Sequence, residues 1–183
     1  MQNLWRTASR KLQPWSTKEG MKFLAKRGAI LTCHFVNAGC ALHLFSQHVG
    51  WIHQMAGPSM LPTLANSGEW IIQSQVSDPH KLSRGDLVIY ASPLHPKRIV
   101  CKRLLGLPGD VVCVDPTGDM APSTEHVIVP KGHMWMIGDN SEFARDSRTY
   151  GPVSMALVKG KLVARCWPPS AFTIFHSNFE YID

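Results

Sequence analysis

With 183 residues, 44% of them hydrophobic, the chain is long enough to bury a core of its own and to carry an appendage. Its formal charge of +6 is confined to the amino-terminal part: residues 1–53 hold seven basic side chains against Glu19 alone, whereas residues 54–183 hold twelve of each sign. This asymmetry argues against a nucleic-acid surface on the main body and places the positive charge as a leader before an apolar stretch. Five cysteines with no CxxC and no regular spacing argue against a zinc ribbon or a redox motif. Their odd number leaves at least one thiol outside any intrachain disulfide; buried thiols are the simplest reading, and a Cys113–Cys166 bridge is the one pairing to consider.

In chain order, residues 1–28 are rich in Arg, Lys, Ser and Thr and nearly free of acid. That composition suits a cleaved transit segment and equally a positive flank retained on the inner side of a membrane. Residues 29–52 predict a membrane-associated helix. Its apolar run, 29–45, is interrupted by Cys33, His34, Asn37 and His43, and at 17 residues it stands at the lower limit for a span. A tilted span anchored near Trp51 and an amphipathic helix lying in the headgroup layer both fit. Residues 53–170 predict a β domain: short β-prone runs at 70–72, 87–90, 99–105, 111–114, 127–129, 134–137 and 158–167, punctuated by Gly, Pro and Asp. No long amphipathic helix separates them, so the fold class is mainly β, antiparallel and barrel-like, and not a parallel βαβ sheet. The tail, 171–183, carries no motif.

Three runs carry chemistry. In Ala56-Gly57-Pro58-Ser59-Met60-Leu61-Pro62-Thr63-Leu64 a hydroxyl is held in a turn restrained by glycine and proline. In Val100-Cys101-Lys102-Arg103-Leu104-Leu105-Gly106-Leu107-Pro108-Gly109-Asp110 two charges interrupt an apolar strand. The third holds Gly138-Asp139-Asn140 and then Asp146-Ser147-Arg148. A serine needs a base to take its proton. A lysine can serve if burial disfavours its charged form. Strand alternation places Val100, Lys102 and Leu104 on one face and turns Arg103 to the other, toward solvent or an acid. Arginine cannot be deprotonated, so Lys102 is the candidate base. Taken singly, a turn serine and a snorkelling surface lysine are the ordinary readings.

In their order and wording the three runs resemble the type I signal peptidase family of Ser/Lys proteases, and within it the branch of the mitochondrial inner membrane. The resemblance covers roughly residues 30–170. It implies Ser59 as nucleophile and Lys102 as general base, with no metal and no organic cofactor. It implies oxyanion or structural support from Gly57, Asp139, Asn140, Asp146, Ser147 and Arg148, with Asp146 and Arg148 placed to pair. Where bacterial relatives often carry a hydroxyl two residues before the nucleophile, this chain has Gly57. Where the family commonly places a serine near the lysine, it has Ala144, so another group must orient Lys102, or activity is lower than in relatives. The implied partners are precursor proteins with leader peptides, a second, related catalytic subunit and membrane lipid, but no nucleic acid. The implied place is the mitochondrial inner membrane, with the catalytic domain facing the intermembrane space. A non-catalytic subunit that binds leader peptides by strand addition is the alternative, with Ala144 its support. A self-cleaving Ser/Lys regulator lacks the helix-turn-helix it would need. His34, His43, His48 and His53 show no ligand spacing, so no metal site is expected.

Overall fold

The computed structural model describes residues 18–48 and 50–177, in two compact units divided after Ser46. What was expected of residues 1–17 and of 178–183 lies outside the described residues.

The described part of the first unit is helix α1, Lys18–His48, whose last two residues fall in the second unit. It begins inside the basic segment rather than after it. Lys18, Lys22, Lys26 and Arg27 occupy its first turns, and the 21 residues from 28 to 48 carry no Asp, Glu, Lys or Arg. At 1.5 Å per residue that stretch rises about 32 Å, enough to cross a hydrocarbon core of about 30 Å. The helix is long and apolar enough to cross a membrane, with a mean hydropathy of 1.4 and none of its most apolar window buried. The uncharged stretch is therefore longer than the 17 residues read from the sequence, because Ser46, Gln47 and His48 remain helical. Trp51 and Ile52, read as the end of this helix, belong to a strand instead.

The second unit is built from ten strands: β1 (Gly50–Met55), β2 (Glu69–Ser74), β3 (Leu87–Ala91), β4 (Ile99–Gly106), β5 (Val111–Cys113), β6 (His126–Ile128), β7 (His133–Ile137), β8 (Val153–Ser154), β9 (Val158–Trp167) and β10 (Thr173–Ile174). A four-residue helix, α2, spans Ser147–Tyr150. Eight strands form one antiparallel sheet in the order β1-β2-β9-β3-β4-β7-β8, with β10 also on β9, while β5 and β6 form a separate ribbon. All seven strands read from the sequence are present. The additions are β1, β8 and β10, the last pairing part of the tail with β9.

The composition of each strand follows its place. In β3, between β9 and β4, every residue is buried, as expected for a continuous apolar run covered on both faces. Its alternate side chains feed two cores. Val88 and Tyr90 join Leu104, Met134, Met136 and Val153 on one side. Leu87 and Ile89 join Met60, Leu64, Ile71, Cys101 and Leu162 on the other. Strand β4 divides in the same way: Val100 and Leu104 serve the first core and Cys101 the second.

Candidate active site

Ser59 lies in a single 3-10 turn, Pro58–Met60, that follows directly on β1. The chain enters it through Gly57 at φ +135°, a conformation that side chains rarely adopt, although a Cβ there would meet open space. Pro58, with its fixed φ and no N–H, starts the turn. Gly57 N–H donates to Asn66 O at 2.8 Å and Leu61 N–H to Pro58 O at 3.2 Å. Met60 anchors the turn in the second core, which leaves Ser59 half-buried at the surface of that anchor. The Leu61–Pro62 bond is cis.

Lys102 stands opposite Val88 on β4 and is 3% exposed. It shares its strand face with Val100 and Leu104, as alternation requires. Burial is the main cause that pushes its amine below the ordinary lysine range; Asp146 and Asp139 oppose that shift and Arg148 adds to it. Arg103, one residue on, is turned the other way. Its Nε donates to Asp139 Oδ1 at 2.8 Å and its NH2 to Oδ2 at 2.7 Å, while its NH1 donates to Gly85 O. The expectation that Arg103 would find an acid on the opposite face thus has its partner in Asp139.

The third run stitches the first two together. Asn140 N–H donates to Ser59 O at 3.2 Å, and Asn140 Nδ2 donates to Pro58 O at 3.1 Å. Thr63, four residues beyond Ser59, donates its hydroxyl to Asp139. Asp139 and Asn140 therefore bind the two ends of the serine turn, and Asp139 ties it to β4 through Arg103. Asp146 is fully buried. It accepts from Gly138 N–H at 2.9 Å, caps α2 through Arg148 N–H, and pairs with the Arg148 guanidinium at 2.8 Å. The expected Asp146–Arg148 pair is formed. Ser147 Oγ accepts from Met136 N–H at 2.9 Å, so this hydroxyl ties α2 to β7.

Sequence reading placed Gly138 in the third run but gave it no role. A Cβ at this position would stand 2.4 Å from the Ala144 Cβ, 2.6 Å from Ser59 O and 3.1 Å from Lys102 Nζ. Gly138 is thus a notch around which the serine turn, the lysine amine and residue 144 converge, and only a hydrogen side chain fits it. The same contacts put Ala144, itself 7% exposed, beside the lysine. Also missed was a pair of tyrosines, whose hydroxyls lie 2.7 Å apart: Tyr90 from β3 and Tyr150 from α2. Burial pushes both phenols up, and pushes the Cys101 thiol up to about 12. The sequence signal was available: Tyr90 sits in the most apolar run of the chain, where a hydroxyl needs a partner.

Ser59, Lys102, Cys101 and Tyr150 line one cleft of about 250 Å³. Among the described residues no three of His, Cys, Asp and Glu gather as a metal-binding group, and all five cysteines are free thiols. Chemically, the arrangement offers a hydroxyl and a buried amine at one concavity, on a frame of carboxylate–arginine pairs.

A family described as "Signal peptidase, peptidase S26" matches residues 29–118 and 114–167. The chain is 39% identical over 135 residues to "Mitochondrial inner membrane protease subunit 1" of Schizosaccharomyces pombe, covering 73% of this chain and 83% of that protein. It is 37% identical over 148 residues to the Homo sapiens protein of the same name, covering 81% and 88%. It is also similar to "Mitochondrial inner membrane protease subunit 2" of Saccharomyces cerevisiae, 38% identical over 132 residues, covering 68% and 72%.

Proposed function

Because this chain belongs to the signal peptidase family, peptidase S26, we propose that it is a membrane-anchored serine endopeptidase that removes leader segments from proteins sorted to the mitochondrial intermembrane space. Ser59 is the nucleophile and Lys102 its base. The observation that carries this reading is Lys102 itself: a buried amine, depressed in pKa and without an ion pair among the described residues, on the cleft that holds Ser59. Lys102 Nζ takes the Ser59 proton as Oγ adds to the scissile carbonyl carbon. The tetrahedral intermediate collapses to an acyl-enzyme, and the ammonium returns its proton to the leaving amine. Water, deprotonated by the same amine, then releases the acyl group and regenerates the hydroxyl. The Ser59 backbone N–H is the oxyanion donor in this scheme, and Gly57 lets substrate backbone approach it closely.

The names of the relatives support assembly into a multi-subunit protease with a second, related subunit. Helix α1 is the anchor in a lipid bilayer of the inner membrane. Its basic first turns stay on the matrix side, so that the β domain faces the intermembrane space. The Asp139, Asn140, Asp146, Ser147 and Arg148 network is structural support.

The test compares wild type and Ser59→Ala, each with its partner subunit, on tagged intermembrane-space precursors. Wild type processes them and Ser59→Ala does not, while both keep the same melting temperature. Processing by Ser59→Ala at a tenth of the wild-type rate or more rules out Ser59 as nucleophile. Processing by neither favours a leader-binding subunit, the reading that Ala144 supports.

A further inference from the structure

Six arginines lie in residues 50–177, and four are matched with a carboxylate: Arg84 with Asp110, Arg103 with Asp139, Arg148 with Asp146 and Arg165 with Glu69. Arg98 and Arg145 have no ion pair among the described residues, and both line the cleft of Ser59 and Lys102. They reach it from different elements. Arg98 closes the β3–β4 hairpin just before β4, and Arg145 lies in the loop between Asn140 and α2. Both are exposed, and no Asp or Glu lines the cleft. Residues 54–183 hold as many acids as bases, yet none of those carboxylates is set against these two guanidiniums in the cleft lining. Such an arrangement complements an anion that arrives with the ligand.

Strand geometry says where that anion sits. Arg98 precedes β4 at the open end of its pairing with β3, where Ser92 N–H donates to Arg98 O at 2.8 Å, and continuing the strand rise of about 3.3 Å per residue sets it about 13 Å from Lys102. A substrate extended along β4 with its scissile carbonyl at Ser59 brings the side chain about four residues from the bond abreast of Arg98. Arg145 adjoins Ala144 at the Gly138 notch, and so serves positions closer to the bond.

We propose that Arg98 and Arg145 are specificity-determining residues that select acidic side chains in the substrate, Arg98 acting about four residues from the scissile bond. The inference rests on the peptidase reading of the site. The same cations could face an anionic bilayer beside the exposed Leu94, Ile99 and Phe143. Their place in the lining of the cleft, shared with the nucleophile, favours the substrate chain.

The experiment uses the full chain with its partner subunit in phosphatidylcholine nanodiscs. The probes are fluorogenic leader peptides with a single Glu, Gln or Lys moved through about six positions on each side of the cleaved bond. Glu should exceed Gln about 3–10-fold in kcat/KM, mainly through KM, at a position three to five residues from the bond. Arg98→Gln should bring that ratio to one, and Arg98→Glu should reverse it in favour of Lys. Arg145→Gln should remove any Glu preference next to the bond, and raising salt from about 0.05 to 0.5 M should compress both ratios. Equal rates for Glu and Gln at every position overturn the proposal, as does a preference that survives in the double arginine variant. If anionic lipid changes the rates in an Arg98-dependent way while the Glu/Gln ratio stays at one, the arginines serve the bilayer and the proposal falls. Peptide binding to Ser59→Ala, followed by fluorescence anisotropy, separates the two readings. Arg98-dependent, charge-selective binding without cleavage by wild type upholds the selectivity and sinks the peptidase. Charge-blind binding without cleavage sinks both.

Discussion

The two faces of β4 give adjacent cations opposite fates. Arg103 is held by both oxygens of Asp139 and by Gly85 O, so its charge is fully matched. Lys102, 3% exposed, has only long-range help from Asp146 and Asp139 and is pushed toward neutrality by burial. One strand thus keeps a permanent cation as a rivet and a deprotonatable one as a tool, and the two-residue period of the strand alone separates them. The carboxylates follow the same division. Asp139 neutralises the rivet, while Asp146 is saturated by Arg148 and Gly138 and leaves the lysine unpaired.

Swapping the tool for a second rivet tests this most severely. Lys102→Arg retains charge but has no accessible neutral form, so precursor cleavage should fall about 10³-fold or more, with some loss of stability from the unpaired guanidinium it buries. An active variant ends the lysine-base mechanism. In wild type the sign is fixed by the direction of the shift. Lowering the amine's pKa populates the free base below the ordinary 10.5, so kcat/KM should rise with pH and reach its midpoint below that value.

Filling the notch should come next in size. Gly138→Ala drives a methyl to 2.6 Å from Ser59 O and 3.1 Å from Lys102 Nζ. Backbone must move, and we expect about a hundredfold loss in kcat, consistent with displacement of a positioned base. Single-turnover cleavage measures it; wild-type rates would show that nucleophile and base do not share this wall.

The two carboxylates should differ in stability. The Asp146–Arg148 side chains are 0% and 4% exposed, so Asp146→Asn strands a buried guanidinium and should cost about 3–5 kcal/mol. The Asp139–Arg103 pair is partly open to water, and Asp139→Asn should cost about 1–2 kcal/mol. Urea unfolding of both variants decides it; equal losses would remove the distinction between the pairs.

The smallest effect is expected at residue 144. Ala144→Ser sets a hydroxyl beside the amine, and a few-fold gain in activity should accompany a shift of the pH profile. Identical rates and profiles from pH 6.5 to 10 would place residue 144 outside the lysine's environment.

Much of this design was legible beforehand because it is local. Gly57-Pro58 announces a turn, and the apolar alternation around Lys102 separates it from Arg103. Five of the seven strand runs end at Gly, Pro or Asp. What was not legible depends on pairing at a distance. Strand β1 continues from an apolar helix, with exposed Trp51 and Ile52, and only its register with β2 distinguishes strand from span. The motif-free tail becomes β10 only because β9 offers an edge. Gly138 looks like a turn glycine until three separate segments are seen to close on it.

The Cys101 thiol and the Tyr90–Tyr150 phenols have a practical consequence for labelling this protein. Acylating and alkylating reagents attack unprotonated groups, and their usual targets at mildly alkaline pH are thiolates and exposed amines. In this cleft the polarity is inverted: the Cys101 thiol is pushed up to about 12, the Tyr150 phenol, hydrogen-bonded to the buried Tyr90, is pushed above its ordinary value, and the amine is pushed down. Lys102 is therefore the intended target of an amine-directed probe small enough for a 250 Å³ cleft. The modified position, read by mass spectrometry, becomes a fingerprint of the folded cleft.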